Sequence, residues 1–309
     1  MVYVGIDLGG TSIKAGLVDE QGKILCKATC PTLVERGARP VVDDMAKLSL
    51  EVIEKGGYTL DDVKAIGIGL PGIQDPRTGI VPFCTNLYWH EVPVIEWMQE
   101  TINKPIYIGN DATVAGLAES VAGVSAGIEN SVFLTLGTGV GGGIVLGGKI
   151  FGGTRGIAGE LGHFTLYQDG PRCPCGKRGC FESYAATTAL VRRAKEATGE
   201  ADMNGRIVFS RAADGDQAML AVLSAWIDDI AAGISGLVHI FNPQMVLIGG
   251  GVSAQEALLI APLRERVLRS VMPRFAECLQ LEAATLGNDA GMIGAARFYL
   301  DCVRQEGTA

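Results

Sequence analysis

The sequence predicts an α/β protein built twice over, as two similar lobes that each carry a mixed sheet with flanking helices. Two observations lead there. A glycine-bent β-meander at the start of the chain recurs after roughly 130 residues. After each copy, stretches of helical and strand periodicity alternate. A length of 309 residues is enough for two domains of ordinary size. Hydrophobic residues at 48%, charged residues at 19% and aromatics at 6% exclude disorder, collagen-like fibre and an aromatic-rich binding surface. The net charge of −8 argues against a general polyanion binder.

The first meander is Val4-Gly-Ile-Asp7-Leu-Gly9-Gly10-Thr11-Ser-Ile-Lys14-Ala-Gly-Leu-Val18, with Gly22-Lys23 turning into a third apolar run. Its echo is Phe133-Leu-Thr135-Leu-Gly137-Thr138-Gly139-Val-Gly-Gly-Gly-Ile-Val-Leu146, with Gly148-Lys149 as the second turn. Asn130 to Gly148 has no charge, but its seven glycines make it a poor helix former, so it reads as two buried strands and not a membrane span. Apolar spacing predicts a helix over Val41–Ile53, a buried strand over Val63–Leu70, a helix near Val94–Ile102 and a strand over Pro105–Ile108. Asn110-Asp111 then heads a helix over Ala112–Val121. The second half repeats the plan: a long helix around Gln217–Phe241, a strand over Met245–Ile248 and Gly249-Gly250-Gly251. A helix over Glu256–Ser270, a strand over Leu279–Ala284 and a last helix from Ala290 follow. Two such halves imply a cleft where ligands sit. The first residues lack a targeting pattern, so a cytoplasmic protein with reduced thiols is expected.

A glycine bend between strands leaves consecutive N–H groups open and forms an anion-binding concavity, although one such bend alone also reads as a plain tight turn. Asp7, just before the first bend, is placed to hold magnesium against phosphates, and Lys14 adds a point charge. The pattern is neither a Walker A loop nor a dinucleotide fingerprint, because a strand follows it. His163, Cys173, Cys175 and Cys180 lie within eighteen residues and suit a four-ligand structural zinc site that leaves no coordination position for water; reduced free thiols or a redox pair are the alternative. Cys26, Cys30, Cys84, Cys278 and Cys302 are ungrouped and read as buried small apolar residues. Glu160 and Glu182 flank the cluster, either as solvated charges or as acceptors for vicinal hydroxyls. Asn110-Asp111 fits a helix cap or a catalytic pair.

Ile6-Asp7-Leu8-Gly9-Gly10-Thr11 resembles the first phosphate motif of the actin/hexokinase-like ATPases, Leu134–Gly139 the second, and Gly249-Gly250-Gly251 their adenosine motif. From Gly5 to Gly294 the chain is similar to the bacterial ROK family of repressors and sugar kinases, above all to its glucokinases. The resemblance implies the two-lobed actin-like, ribonuclease H-like ATPase fold. It places the small lobe at residues 1–114 plus 291–309, and at 115–290 a large lobe with the zinc loop and much of the ATP site. It implies that Gly9, Gly10, Thr11, Lys14, Gly137, Thr138, Gly139, Gly250 and Gly251 line the ATP site, while Asp7 serves Mg²⁺.

Gly159-Glu160-Leu161-Gly162-His163 and Cys180-Phe181-Glu182 match the family signature, in which both Glu and the His contact sugar hydroxyls and the His also ligates zinc. Asn110 then binds the sugar and Asp111 is the catalytic base. Asn86 and Trp89 fall where ROK glucokinases carry an Asn-Leu-x-Trp segment over the sugar, with Tyr88 replacing a usually small residue. The activity implied is ATP-dependent phosphorylation of a hexose 6-hydroxyl. D-glucose is the first choice of substrate, and N-acetylmannosamine or another hexose the second. The family also implies a homodimer. Its sugar-sensing repressors are the rival reading, but the negative charge and a first strand that starts at the second residue show no DNA reader.

Overall fold

The computed structural model describes residues 1–306. In chain order the elements begin with β1 (Val2–Leu8), β2 (Ser12–Asp19), β3 (Ile24–Pro31), α1 (Ala38–Lys55) and β4 (Val63–Leu70). Next come β5 (Ile73–Asp75), β6 (Ile80–Cys84), β7 (Trp89–Pro93), α2 (Val94–Gln99), β8 (Ile106–Asn110) and α3 (Asp111–Ala122). Then follow β9 (Ser131–Leu136), β10 (Val140–Leu146), β11 (Lys149–Ile150), α4 (Glu182–Ala185), α5 (Thr187–Thr198), α6 (Gly205–Ala213) and α7 (Gln217–Phe241). The chain closes with β12 (Met245–Gly249), α8 (Ala261–Ser270), α9 (Pro273–Ala276), β13 (Gln280–Ala283) and α10 (Ala290–Glu306). The chain divides into two compact units, residues 1–127 with 143–159 and 286–309, and residues 128–142 with 160–285.

The two large sheets have one topology: β3-β2-β1-β4-β8 and β11-β10-β9-β12-β13. Each is a meander extended by two parallel strands, which accounts for the echo in the sequence. The echo is uneven, because β3 spans eight residues and β11 only two.

In unit 1, β1 and β4 are apolar on both faces and buried along most of their length, Lys64 of β4 being exposed and Asp7 of β1 half-buried, while β3 alternates half-buried and exposed as an edge strand does. α1 covers one face with Val41, Val42, Met45, Leu48, Val52 and Ile53. α10 lies directly on the other face, and three glycines make that possible. A Cβ on Gly5 would stand 1.8 Å from the Met292 carbonyl oxygen, one on Gly67 1.7 Å from that of Ala295, and one on Gly294 1.7 Å from that of Val114 in α3. The small antiparallel sheet β5-β6-β7 was not expected from periodicity. Its strands are three to five residues long, too short to show a period.

In unit 2, β9, β12 and β13 run parallel, with Met245 opposite both Ser131 and Gln280. α7 spans 25 residues and is long and apolar enough to cross a membrane by length and composition. Here Leu223, Trp226, Ile230, Ile234 and Val238 are buried in the unit, as in an interior helix of a packed domain. The expected helix over Glu256–Ser270 opens with a π-helical segment, Glu256–Ile260, before α8. α4, α5 and α6 lie in a stretch for which the sequence predicted no element. Cys278 is exposed, and Cys26, Cys30 and Cys302 are half-buried, which corrects the buried reading; Cys84 is buried as expected.

Candidate active site

Asp7 sits at the C-terminal end of β1, paired in register with Lys14 of β2. The Lys14 ammonium donates to its carboxylate at 3.0 Å, so the point charge expected at the phosphates is held by Asp7 here. The bend that follows is fastened by Gly9 N–H donating to the Ser12 carbonyl at 3.0 Å. Thr32, fully buried, donates its hydroxyl to the Gly9 carbonyl at 2.6 Å and its N–H to the Thr11 carbonyl at 3.1 Å. Gly10 and Thr11 are left exposed at the tip. Sequence reasoning missed Thr32, because a threonine at a strand end carries no motif.

Parallel pairing sets β4 beside both β1 and β8, with Asp7 opposite Gly69 and Leu70 opposite Asn110. Asp7 and the Asn110-Asp111 pair therefore arrive at the same, C-terminal edge of the sheet, where open α/β sheets hold ligands. Asn110 caps α3, its Oδ1 accepting from the N–H groups of Ala112 and Thr113 at 3.0 and 3.2 Å. The cap reading is correct for Asn110, and the cap uses its Oδ1 and not its NH₂. Asp111 accepts from Ala112 N–H at 2.8 Å through Oδ1. It keeps some contact with solvent, yet burial raises its pKa, the nearby Asp7 charge raises it further, and the Ala112 bond only partly opposes them. A carboxylate so tuned is a stronger base than a free one. Asn86 is exposed in the turn Thr85–Leu87, near Gly10: a Cβ on Gly10 would lie 3.9 Å from the Asn86 carbonyl oxygen. Trp89, the other end of that segment, is 2% exposed and belongs to the hydrophobic core of unit 1. Asp289 binds Lys27 at 2.9 Å through its carboxylate.

In unit 2 the second glycine bend joins β9 to β10, with Gly137 N–H donating to the Gly139 carbonyl at 3.0 Å. Gly250 follows β12 with φ +91°, and a Cβ there would stand 2.3 Å from the Leu136 carbonyl oxygen. Only glycine fits that approach. Thr138, Gly137 and Gly251 border a cavity of about 960 Å³, whose walls include Val191, Phe209 and Val252. Those walls stand on α5, α6 and the start of the segment after β12. No motif marked them, because only the fold brings ordinary helix residues to one cavity.

The His163, Cys173, Cys175 and Cys180 ligand atoms all lie within 4.8 Å of one another. Cys173 Sγ is 3.6 Å from His163 Nδ1, and Cys175 Sγ is 3.6 Å from Cys180 Sγ. A tetrahedral zinc with sulfur ligands at about 2.3 Å requires edges of about 3.8 Å, so this donor set fits such an ion. Without one, burial first and hydrogen bonds to neighbouring thiols second push the Cys173 thiol up to about 12. A coordinated cation reverses that preference. With Nδ1 turned to the sulfurs, His163 Nε2 faces Glu160, 3.9 Å from Oε2. Glu160 is exposed; Glu182 is half-buried and accepts from Val140 N–H at 3.0 Å.

The sequence profile of the ROK family matches residues 3–301. The chain belongs to the ROK family. A glucokinase of Thermotoga maritima is 39% identical over 307 residues, covering 95% of each chain. The crystal structure of a ROK hexokinase from Thermus thermophilus superposes with a TM-score of 0.86 at 36% identity, over 98% of this chain and 100% of that one. A ROK glucokinase from Streptomyces griseus, solved with glucose and AMPPNP, gives a TM-score of 0.82 at 32% identity, over 96% and 99% of the two chains. The two-sheet architecture described above is the actin-like ATPase fold of these ROK sugar kinases.

Proposed function

We propose that this ROK protein transfers the γ-phosphoryl group of ATP to the 6-hydroxyl of D-glucose, giving glucose 6-phosphate and ADP. One observation carries the chemistry: Asp111, a carboxylate with a raised pKa, stands at the same sheet edge as Asp7 and the first glycine bend. The choice of glucose is supported by the glucokinase relatives, one of which was solved with glucose and AMPPNP.

Asp111 orients the sugar hydroxyl and accepts its proton as the new P–O bond forms and the bond to ADP breaks. Phosphoryl transfer has a loose transition state, so a carboxylate that takes the proton late is sufficient. Asn86, Asn110, Glu160, His163 and Glu182 are the proposed sugar contacts. Acceptor carboxylates favour vicinal hydroxyls and leave a ligand that lacks them unpaired. Gly9, Gly10, Thr11 and Lys14 on one bend, and Gly137, Thr138 and Gly139 on the other, are the proposed phosphate contacts. Gly251 borders the nucleoside cavity, and Gly250 beside it is a further proposed nucleotide contact. Asp7 would hold Mg²⁺, which neutralises phosphate charge when bound, and displacement of its Lys14 partner would free that ammonium for phosphate. His163, Cys173, Cys175 and Cys180 would hold Zn²⁺, which orders the loop and fixes the imidazole so that Nε2 donates. A cytoplasmic homodimer in which residues 1–114 with 291–309 act as the small lobe and 115–290 as the large one completes the reading, on the family resemblance. The test is ADP release measured across a hexose panel. Highest kcat/KM for glucose supports the proposal, and no turnover with any hexose contradicts it.

A further inference from the structure

The segment from Cys180 to Thr188 runs from the metal cluster to the second glycine bend and touches both. At one end Cys180 is a cluster member, and Ser183 N–H donates to its carbonyl at 3.0 Å. At the other end α5 begins against the bend: Thr187 N–H donates to the Gly137 carbonyl at 2.8 Å, and the Thr188 hydroxyl to the Thr138 carbonyl at 3.0 Å. Between them Glu182 reaches both sides. Its Oε2 accepts from Val140 N–H at 3.0 Å, and its Oε1 lies 3.6 Å from Cys173 Sγ. Gly139 is the residue that admits it, since a Cβ there would stand 2.4 Å from Glu182 Oε2.

We propose that Glu182 is a positioning residue that ties the metal loop to the second glycine bend, so that an ordered metal loop raises affinity for the nucleotide as well as for the sugar. The inference rests on the reading that this bend holds the phosphates of ATP. The bend has to present its N–H groups in one arrangement, and glycines make it free to adopt others. A carboxylate that accepts from Val140 N–H, next to the bend, removes that freedom, and a hydrogen bond to a charged group is among the stronger ones available. Adding a methyl group at position 139 should push the carboxylate off Val140, because the obstructing atom is the far end of a flexible side chain. Gly139→Ala and Glu182→Ala therefore break the same tie by different routes.

The test measures the Kd of Mg·AMPPNP by calorimetry without sugar, and the rate of zinc release to a chromogenic chelator, for wild type, E182A, E182Q, G139A and the double variant G139A/E182A. Glu182→Ala and Gly139→Ala should each weaken nucleotide binding by about tenfold. The double variant should be no weaker than the worse single one, because coupled residues are non-additive. Glu182→Gln keeps an acceptor for Val140 N–H and should bind nucleotide within about twofold of wild type while losing sugar affinity, which separates positioning from sugar contact. Zinc release should quicken in E182A, because the backbone that carries Cys180 loses its anchor on Val140 N–H, and stay near wild type in E182Q, which keeps that anchor; the Cys173 contact does not contribute, since a zinc-bound thiolate has no proton to donate. An unchanged nucleotide Kd in E182A, or additive effects of E182A and G139A, overturns the tie while leaving the kinase reading standing. A wild-type protein that binds zinc but no nucleotide overturns that reading and the tie with it.

Discussion

Asp111→Asn separates chemistry from architecture, because the substitution leaves the helix start intact. Asn110 still caps α3 through its bonds to Ala112 and Thr113, and an asparagine at 111 can still accept from Ala112 N–H. What disappears is the basic oxygen. Positioned bases contribute about 10²–10⁴-fold, equivalent to about 3–5 kcal/mol of barrier, so kcat should fall at least about 100-fold while glucose Kd moves less than about threefold. Stability should move the other way. Burial and the Asp7 charge raise the folded-state pKa of Asp111, so its ionised form is penalised on folding. The stability linked to this group is present below its unfolded pKa and is lost as pH rises through the folded one. At pH 7 the neutral amide removes that penalty, and Tm should hold or rise. The raised pKa also places the acid limb of kcat/KM above the ordinary carboxylate range, and Asp7→Asn should move that limb downward. A coupled ADP assay from pH 4 to 9, with calorimetry for glucose, reads all of this. Turnover within threefold of wild type in Asp111→Asn would refute the assignment of Asp111 as base.

Three further outcomes are expected. Purified protein should carry about one equivalent of zinc per chain by elemental analysis, and Cys175→Ser should lower both that content and Tm; less than half an equivalent in wild type contradicts a four-ligand site. Gly67→Ala should lower Tm by about 10 °C or abolish soluble expression, because its Cβ would meet the backbone of α10, which cannot step aside cheaply. Ala213→Trp, which fills part of the cavity bordered by Thr138 and Gly251, should raise KM for ATP at least about tenfold and leave the KM for glucose near wild type; an unchanged KM for ATP contradicts the nucleoside assignment.

The parts of the fold that were legible are those where one physical period dominates. The bounds of β4 and α7 match the spans expected from their apolar spacing, since a mostly buried strand and an interior helix write their burial into the sequence. The echo between the two meanders was likewise legible, because the same glycine bend between buried strands leaves the same pattern. Helices α4 to α6 were not read, although α5 has a buried face at Ala189, Leu190 and Ala194: three small or medium residues are a weak signal beside the polar residues around them. At the site, Asp7, Asn110 and Asp111 were readable as chemistry-bearing residues beside glycine or at a helix start. Thr32 and the cavity walls were not, because their roles come from distant chain segments meeting. The Asp7–Lys14 pair and the burial of Trp89 were hidden for the same reason: register and packing decide them, and spacing does not.

The central claim, transfer of a terminal phosphoryl group to a sugar, is tested most directly by following the phosphorus itself. Incubation with Mg²⁺, glucose and [γ-³²P]ATP should place the label on the 6-oxygen of glucose, in a product that phosphatase treatment returns to glucose. Label recovered only in ATP or as inorganic phosphate would contradict the account.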